Sequence, residues 1–364
     1  MKPGVCDFTF LRQFCVAFVC LLLIGCGKDN SSSCYTSSVI AFGADAISIQ
    51  SILDSAVEKG LDGIIVYVDR DGSEPVSYFS GMQNRDNRLP MAPGYLFKIA
   101  SASKLFIAVS ATKLVHQQLI DLDDTLEFWL PAIASRIENG GSITIREMLM
   151  HRSGIPDFGH QAGFNWLEAH TDIDDTLEYA LELPANFAPG SSYGYSNTNY
   201  LLIAKILDKA LGKSHREYIQ SEILSPLGMR DTYSTVAEVD RSRLIRGYWG
   251  EIDYTNLDYT IPGGSMVSTA ADMAVFLRAL TTGNLLNNAE KTSYSSLYRY
   301  NHSGTLPGFY STAQFDEETN TIAIQFVNTT DGNAGGQALA NIAFHNVLCN
   351  VAGGVQPPSE ARKL

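Results

Sequence analysis

Positive charge is what this sequence has least of: 26 lysines and arginines stand against 39 aspartates and glutamates, a formal charge of −13 at pH 7. So acidic a chain repels phosphate backbones and anionic headgroups, which argues against nucleic acid and anionic membrane surfaces as partners. A run long enough to span a bilayer is also missing. The apolar stretch at residues 14–24 is too short for that, and it follows a basic start at Lys2 and Arg12, as an export signal does. Cysteine is scarce once that signal is set aside, because Cys6, Cys15 and Cys20 leave with residues 1–25 and only Cys26, Cys34 and Cys349 remain. No internal repeat is visible.

What is present is a chain of 364 residues, 45% hydrophobic, able to bury a large core as one big domain or two. The signal closes on Leu23-Ile24-Gly25-Cys26, which resembles a bacterial lipobox. That likeness implies lipid on Cys26, and Gly27 after it implies the outer membrane, facing the periplasm, as the address. Residues 28–38 are polar and serine-rich, so 26–43 reads as a tether.

Beyond the tether the period alternates between helix and strand. Residues 44–59 carry Ile47, Ile49, Ile52, Leu53, Ala56 and Val57 on one helical face, with Gly60 as a stop. Residues 63–69 and 75–80 are β-rich runs joined by Arg70-Asp71-Gly72, a hairpin signal. Residues 143–154 read as a capped helix ending in a turn at His151, and 171–183 and 200–211 as helices. Ser268 or Thr269 caps a helix running to Leu280, residues 309–315 and 321–328 are strands, 338–348 is a last helix and 351–364 a tail. Strands at both ends with helices between predict one sheet built from the two ends of the chain.

Three stretches carry the chemistry. In Ser101-Ala102-Ser103-Lys104 an apolar run ends at Ser101 and a helical period begins, so the serine sits near a helix start. First-turn N–H groups there have no intrahelical partner, and Lys104 one turn on can fold back over the hydroxyl: the beginnings of a nucleophile and its base. A second copy of the spacing, Ser110 to Lys113, falls in mid-helix, where a serine caps back onto a carbonyl.

The second stretch, Tyr195-Ser196-Asn197, follows the turn Pro189-Gly190 and precedes a helix. It aims a phenol and a carboxamide into one cleft. The phenol, if ionised by a nearby lysine, can take the serine's proton; an unperturbed tyrosine or lysine titrates near 10, so one of them must be depressed to act at neutral pH. Tyr254-Thr255-Asn256 repeats the spacing without the turn or the helix and reads as surface structure. The third stretch, His302-Ser303-Gly304-Thr305, puts a glycine beside a strand, where a substrate backbone can approach, and frees the Thr305 N–H to join that of Ser101 as an oxyanion hole.

In this order the three motifs resemble those of the penicillin-recognising serine hydrolases of the class C β-lactamase and D,D-peptidase type, a group that includes esterases. Leu122-Asp123-Asp124, His151-Arg152-Ser153-Gly154, Pro226-Leu227-Gly228-Met229 and residues 267–272 support the likeness, which runs from about Ala46 to Val347. It implies Ser101 as the acylated nucleophile, proton transfers shared by Lys104 and Tyr195, and substrate binding by Asn197, His302, Ser303, Gly304 and Thr305. It implies no metal and no organic cofactor. The implied fold is α+β: an antiparallel sheet flanked by helices, from about 44–100 and 260–350, with an inserted mainly helical region at about 101–259 and the site in the cleft between. First and last helices then pack together, which favours a Cys34–Cys349 disulfide between neighbouring chain ends.

One departure is informative. β-Lactamases of this type usually carry Lys-Thr-Gly where this chain has His302-Ser303-Gly304. A neutral histidine binds a carboxylate less strongly than a lysine does. The expectation is therefore an acyl-enzyme hydrolase of D-alanyl peptides or amides, ahead of an esterase or a weak β-lactamase, with any carboxylate anchor at Lys291 or Arg299. The reading of another class is a silent cell-wall binding protein that keeps the cleft. Oligomeric state leaves no mark in the sequence.

Overall fold

The computed structural model describes residues 48–331 and 335–353. Cys26, the tether, Cys34 and the tail beyond residue 353 lie outside the described residues. Cys349 is disulfide-bonded, and its partner also lies outside them.

The first helix, α1 (Ile49–Glu58), starts at Ser48, whose hydroxyl accepts the Ser51 N–H at 3.1 Å, and buries Ile49, Ile52, Leu53 and Ala56 on one face. Strands β1 (Gly63–Arg70) and β2 (Val76–Asn84) form the expected hairpin, and β3 (Leu89–Pro90) adds a short edge beyond a bulge. After β4 (Phe97–Lys98) and a 3₁₀ turn, Ala100–Ser103, comes the buried helix α2 (Lys104–His116). The helical middle contains α3 (Ile145–Leu149), α4 (Ile173–Glu178) and α5 (Thr198–Leu211). Two short strands, β5 (Tyr248–Trp249) and β6 (Ile252–Asp253), then lead to β7 (Val267–Ser268), α6 (Ala270–Thr281) and α7 (Asn288–Leu297). The chain returns through β8 (His302–Leu306), β9 (Phe309–Asp316), β10 (Thr321–Val327), β11 (Thr329–Thr330) and α8 (Gly335–Ala352).

The main sheet runs β3-β2-β1-β10-β9-β8, with every neighbouring pair antiparallel. The central pair, Ile64 opposite Val327 through Arg70 opposite Thr321, joins the two ends of the chain. Alternation along β1 divides the core. Ile64, Val66 and Val68 meet Leu53 of α1 and Ala343 and Val347 of α8. Ile65, with Ile322, Ile324 and Phe326 of β10, meets the layer in which Phe106 of α2 and Phe276 of α6 stack at 3.8 Å. Each such side chain stabilises the fold by about 1.5–3 kcal/mol when fully buried.

Several boundaries differ from expectation. The helix expected over 143–154 is only α3, closed by a Thr144/Glu147 capping box at its start and by a left-handed residue, His151, after its end. The helix expected over 171–183 is the shorter α4. Thr269, not Ser268, caps α6, accepting the Asp272 N–H at 3.1 Å. Helix α7 was not expected at all, because only Glu290, Tyr294 and Leu297 are buried and no apolar period marks it. Its capping box, Asn287 with Glu290, was the available signal.

Candidate active site

Strand β4 pairs with β7, and the turn that follows holds Ser101 between the sheet and α2. The α-helix proper begins three residues after the serine, at Lys104. Ala100, immediately before Ser101, is buried with a φ of 50°, a left-handed backbone that costs a non-glycine residue on the order of 1–3 kcal/mol. Neighbours hold the turn in place: the Ser103 hydroxyl donates to the Ala100 carbonyl at 2.6 Å and the Ser311 hydroxyl to the Ile99 carbonyl at 2.7 Å.

Lys104 is 1% exposed, and its Nζ reaches Ser101 Oγ at 3.2 Å, Asn197 Oδ1 at 2.8 Å and the Gly263 carbonyl at 2.9 Å. Two of these partners can only accept. The contact with Ser101 is the one whose direction can reverse, an uncharged amine accepting the hydroxyl proton. Burial lowers the lysine to about 7 against the opposing pull of Asp157, so half of it is uncharged near neutrality. The ammonium lies 5.2 Å from the Tyr195 ring centre and 5.3 Å from that of Tyr200. Gly263 is required behind it: its φ is +74°, and a Cβ would sit 2.9 Å from Lys104 Cγ.

The Tyr195 phenol lies on the same side, close enough to Ser101 to be influenced by its hydroxyl, so phenol and amine both flank the nucleophile. Of the two bases left open above, an ionised phenol or an uncharged lysine, the surroundings favour the lysine. Enclosure of the phenol, reinforced by Tyr298, drives Tyr195 well above its ordinary value, so it stays protonated, and of the two candidate bases only the lysine is tuned to neutral pH. Asn197 presents Oδ1 to Lys104 because Asp157 takes its other end, accepting from Nδ2 at 3.1 Å and from the backbone N–H at 3.2 Å. Asp157 is buried and was missed: a single carboxylate 40 residues before its partner has no spacing to betray it. Gly263 was missed too, since a carbonyl acceptor can come from any residue type.

His302, Ser303, Gly304 and Thr305 lie on β8 itself, not on a turn beside it, at the edge of the sheet. Gly304 lets this edge close on the nucleophile's turn: a Cβ there would meet the Ile99 carbonyl oxygen at 2.5 Å and the Ser101 nitrogen at 2.6 Å. His302 is half-buried. Its Nδ1 donates to the Ser303 carbonyl at 2.5 Å, Nε2 accepts from the Tyr298 hydroxyl at 2.8 Å, and burial followed by the Lys104 charge pushes it down to about 3, which leaves it neutral. The two expected carboxylate anchors part company. Lys291 donates to the Gly283 carbonyl at 2.8 Å, whereas Arg299 donates to the Tyr193 hydroxyl at 3.3 Å and its charge is felt by His302 and His151. The repeats of the motifs stay apart from this cluster: Ser110 donates to the Phe106 carbonyl at 2.8 Å, and Asn256 accepts from Arg241 at 3.0 Å.

This arrangement can carry out acyl transfer: a hydroxyl between a lysine tuned to neutral pH and a protonated phenol, against a strand edge able to dock an extended substrate.

Comparison with known proteins agrees with this chemistry. The profile of the Beta-lactamase family matches residues 49–345. Penicillin-binding protein 4* of Bacillus subtilis (strain 168) is 27% identical over 280 residues, covering 71% of this chain and 61% of that protein. Esterase EstB of Burkholderia gladioli is 29% identical over 220 residues, 55% of each chain. The chain thus spans between about half and three-fifths of these two relatives. Among solved structures, the D-amino acid amidase from Ochrobactrum anthropi SV3 complexed with L-phenylalanine amide superposes with a TM-score of 0.74 at 26% identity, covering 85% of this chain and 98% of that one.

Proposed function

Because the chain belongs to the Beta-lactamase family, we propose that it is a serine hydrolase that works through an acyl-enzyme on Ser101 and cleaves D-alanyl peptides or amides. The observation that carries this reading is the convergence of Lys104 Nζ on Ser101 Oγ at 3.2 Å, with Asn197 and Gly263 holding the same nitrogen.

In the forward half-reaction Ser101 Oγ attacks the substrate carbonyl carbon and its proton passes to uncharged Lys104. The carbonyl oxygen takes up the negative charge between the N–H groups of Ser101 and Thr305, each such donor being worth about 10²–10³ in rate. As the bond to the leaving group breaks, the protonated Tyr195 phenol gives its proton to the departing atom, and the Lys104 ammonium restores it. Water then repeats the sequence in reverse, releasing the acid. Asp157 acts through Asn197, as a positioning residue.

The D-amino acid amidase and the penicillin-binding protein support a D-configured amide substrate, and the esterase EstB supports esters as the second reading. His302, neutral and tied to Tyr298, supplies no cation, so we assign recognition of a free substrate carboxylate to Arg299. A panel of D-Ala-D-Ala peptides with free and amidated ends, nitrocefin and short nitrophenyl esters tests both assignments. Turnover of the free peptide, lost selectively in Arg299→Ala, is the expected result; ester turnover alone would favour the esterase. No turnover of any substrate, with no labelling of Ser101 by a fluorophosphonate or a penicillin, would return the protein to the class of silent wall-binding proteins. We propose also that Cys26 carries the lipid that holds the chain at the outer membrane, facing the periplasm.

A further inference from the structure

We infer that His151 is a positioning residue for the Tyr195 phenol, gripping the chain on both sides of the tyrosine and backing its ring. The inference rests on the reading of Tyr195 as a proton donor in acyl transfer.

Three contacts converge. The His151 carbonyl accepts the N–H of Gly194 at 2.9 Å, one residue before the tyrosine. Its Nδ1 accepts the N–H of Ser196 at 3.2 Å, one residue after. Between these two anchors the imidazole stacks on the phenol ring, centres 4.3 Å apart and planes 29° from parallel. Tyr195 therefore has its backbone fixed at both neighbours and one ring face covered by a single residue from the end of α3.

The local cost of this placement argues against a mere turn residue. His151 takes a φ of 55°, which glycine would adopt without strain. Both groups near Nδ1, the Ser196 N–H and the Asn199 amide nitrogen at 3.5 Å, are donors. The ring proton is thereby assigned to Nε2, and that buried N–H has no partner among the described residues. A histidine selected only to close a turn would use both nitrogens or be replaced by asparagine or glycine. What the imidazole adds here is a rigid, uncharged surface under Tyr195. It stays uncharged because burial, then the Lys104 charge, hold it well below its ordinary value.

Two substitutions separate the parts of the grip. His151→Asn tolerates the left-handed backbone and carries an acceptor oxygen at the same distance along the side chain as Nδ1, so it keeps the Ser196 anchor and loses the ring. His151→Phe keeps a ring and leaves the Ser196 N–H buried without an acceptor. Each is made in the full chain and in a Tyr195→Phe background, and inactivation by a fluorophosphonate is followed as separate KI and kinact values, alongside the thermal midpoint. In the parent background His151→Asn is expected to lower kinact about tenfold with KI within twofold. In the Tyr195→Phe background the same change is expected to cost less than twofold, because the group it positions is gone. Equal losses in both backgrounds, or unchanged kinact in folded His151→Asn, would overturn the inference; if His151→Phe does not fold, the asparagine variant decides alone. Near-parent inactivation by Tyr195→Phe itself would instead contradict the role given to the tyrosine, a separate failure.

Discussion

Asp157 accepts hydrogen bonds from both the side chain of Asn197, at 3.1 Å, and its backbone N–H, at 3.2 Å, and so decides which end of the Asn197 amide faces Lys104. The same carboxylate raises the affinity of Lys104 for its proton. Asp157→Asn therefore has two separable effects. Loss of the fixed amide lowers the plateau rate of fluorophosphonate inactivation, by about tenfold or more. Loss of the negative charge lowers the lysine further, so the acid limb of the pH profile moves to lower pH. A profile measured on both proteins checks the two together.

Lys104 itself sets the pH dependence. It acts as a base only when uncharged, and burial places it at about 7. Inactivation is expected to rise about tenfold per pH unit well below that value, to reach half its limit near it, and to level off above. His302, at about 3, adds no limb between pH 5 and 9. Lys104→Arg keeps a charge that cannot be shed and is expected to lose about 10³-fold at every pH in that range.

Gly304 is required by close approach. In Gly304→Ala the new methyl meets backbone, the Ile99 carbonyl oxygen and the Ser101 nitrogen, and neither can rotate away. The strand must move off the nucleophile's turn, and overpacking of this kind costs about 1–3 kcal/mol. We expect a Tm lower by several degrees in calorimetry and a fall in activity on the order of 10²-fold, larger than the stability change accounts for at room temperature.

How much of this was visible beforehand depends on how the chemistry writes itself into sequence. Ser101 with Lys104, and Tyr195 with Asn197, are short spacings that each recur once elsewhere in the chain, and the β-rich run at 63–69 with the alternating run at 321–328 is enough to predict a sheet made from both ends of the chain. That these segments meet in one cleft came from the resemblance, not from spacing. Asp157 and Gly263 were invisible because one acts through an intervening amide and the other through a main-chain oxygen. The protonation of Tyr195 depends on what encloses it, and Tyr298 lies 103 residues away in sequence. Helix α7 escaped notice because its exposed polar face outweighs two buried apolar residues.

The address is tested separately from the chemistry. If Cys26 carries lipid, the full chain expressed in a Gram-negative host fractionates with the outer membrane and takes up labelled palmitate, and Cys26→Ser abolishes the label and releases the protein to the soluble fraction. Membrane retention of Cys26→Ser without label would assign the attachment to another part of the chain.

The account turns on one proton transfer, from Ser101 to Lys104. Its most direct test is peptide mapping by mass spectrometry after the full chain meets a fluorophosphonate at pH 8, for the parent, Ser101→Ala and Lys104→Ala. The predicted result is a single adduct on the peptide holding Ser101, absent from Ser101→Ala and reduced at least 10²-fold in initial rate in Lys104→Ala. An adduct on any other residue, or an undiminished rate in Lys104→Ala, would contradict it.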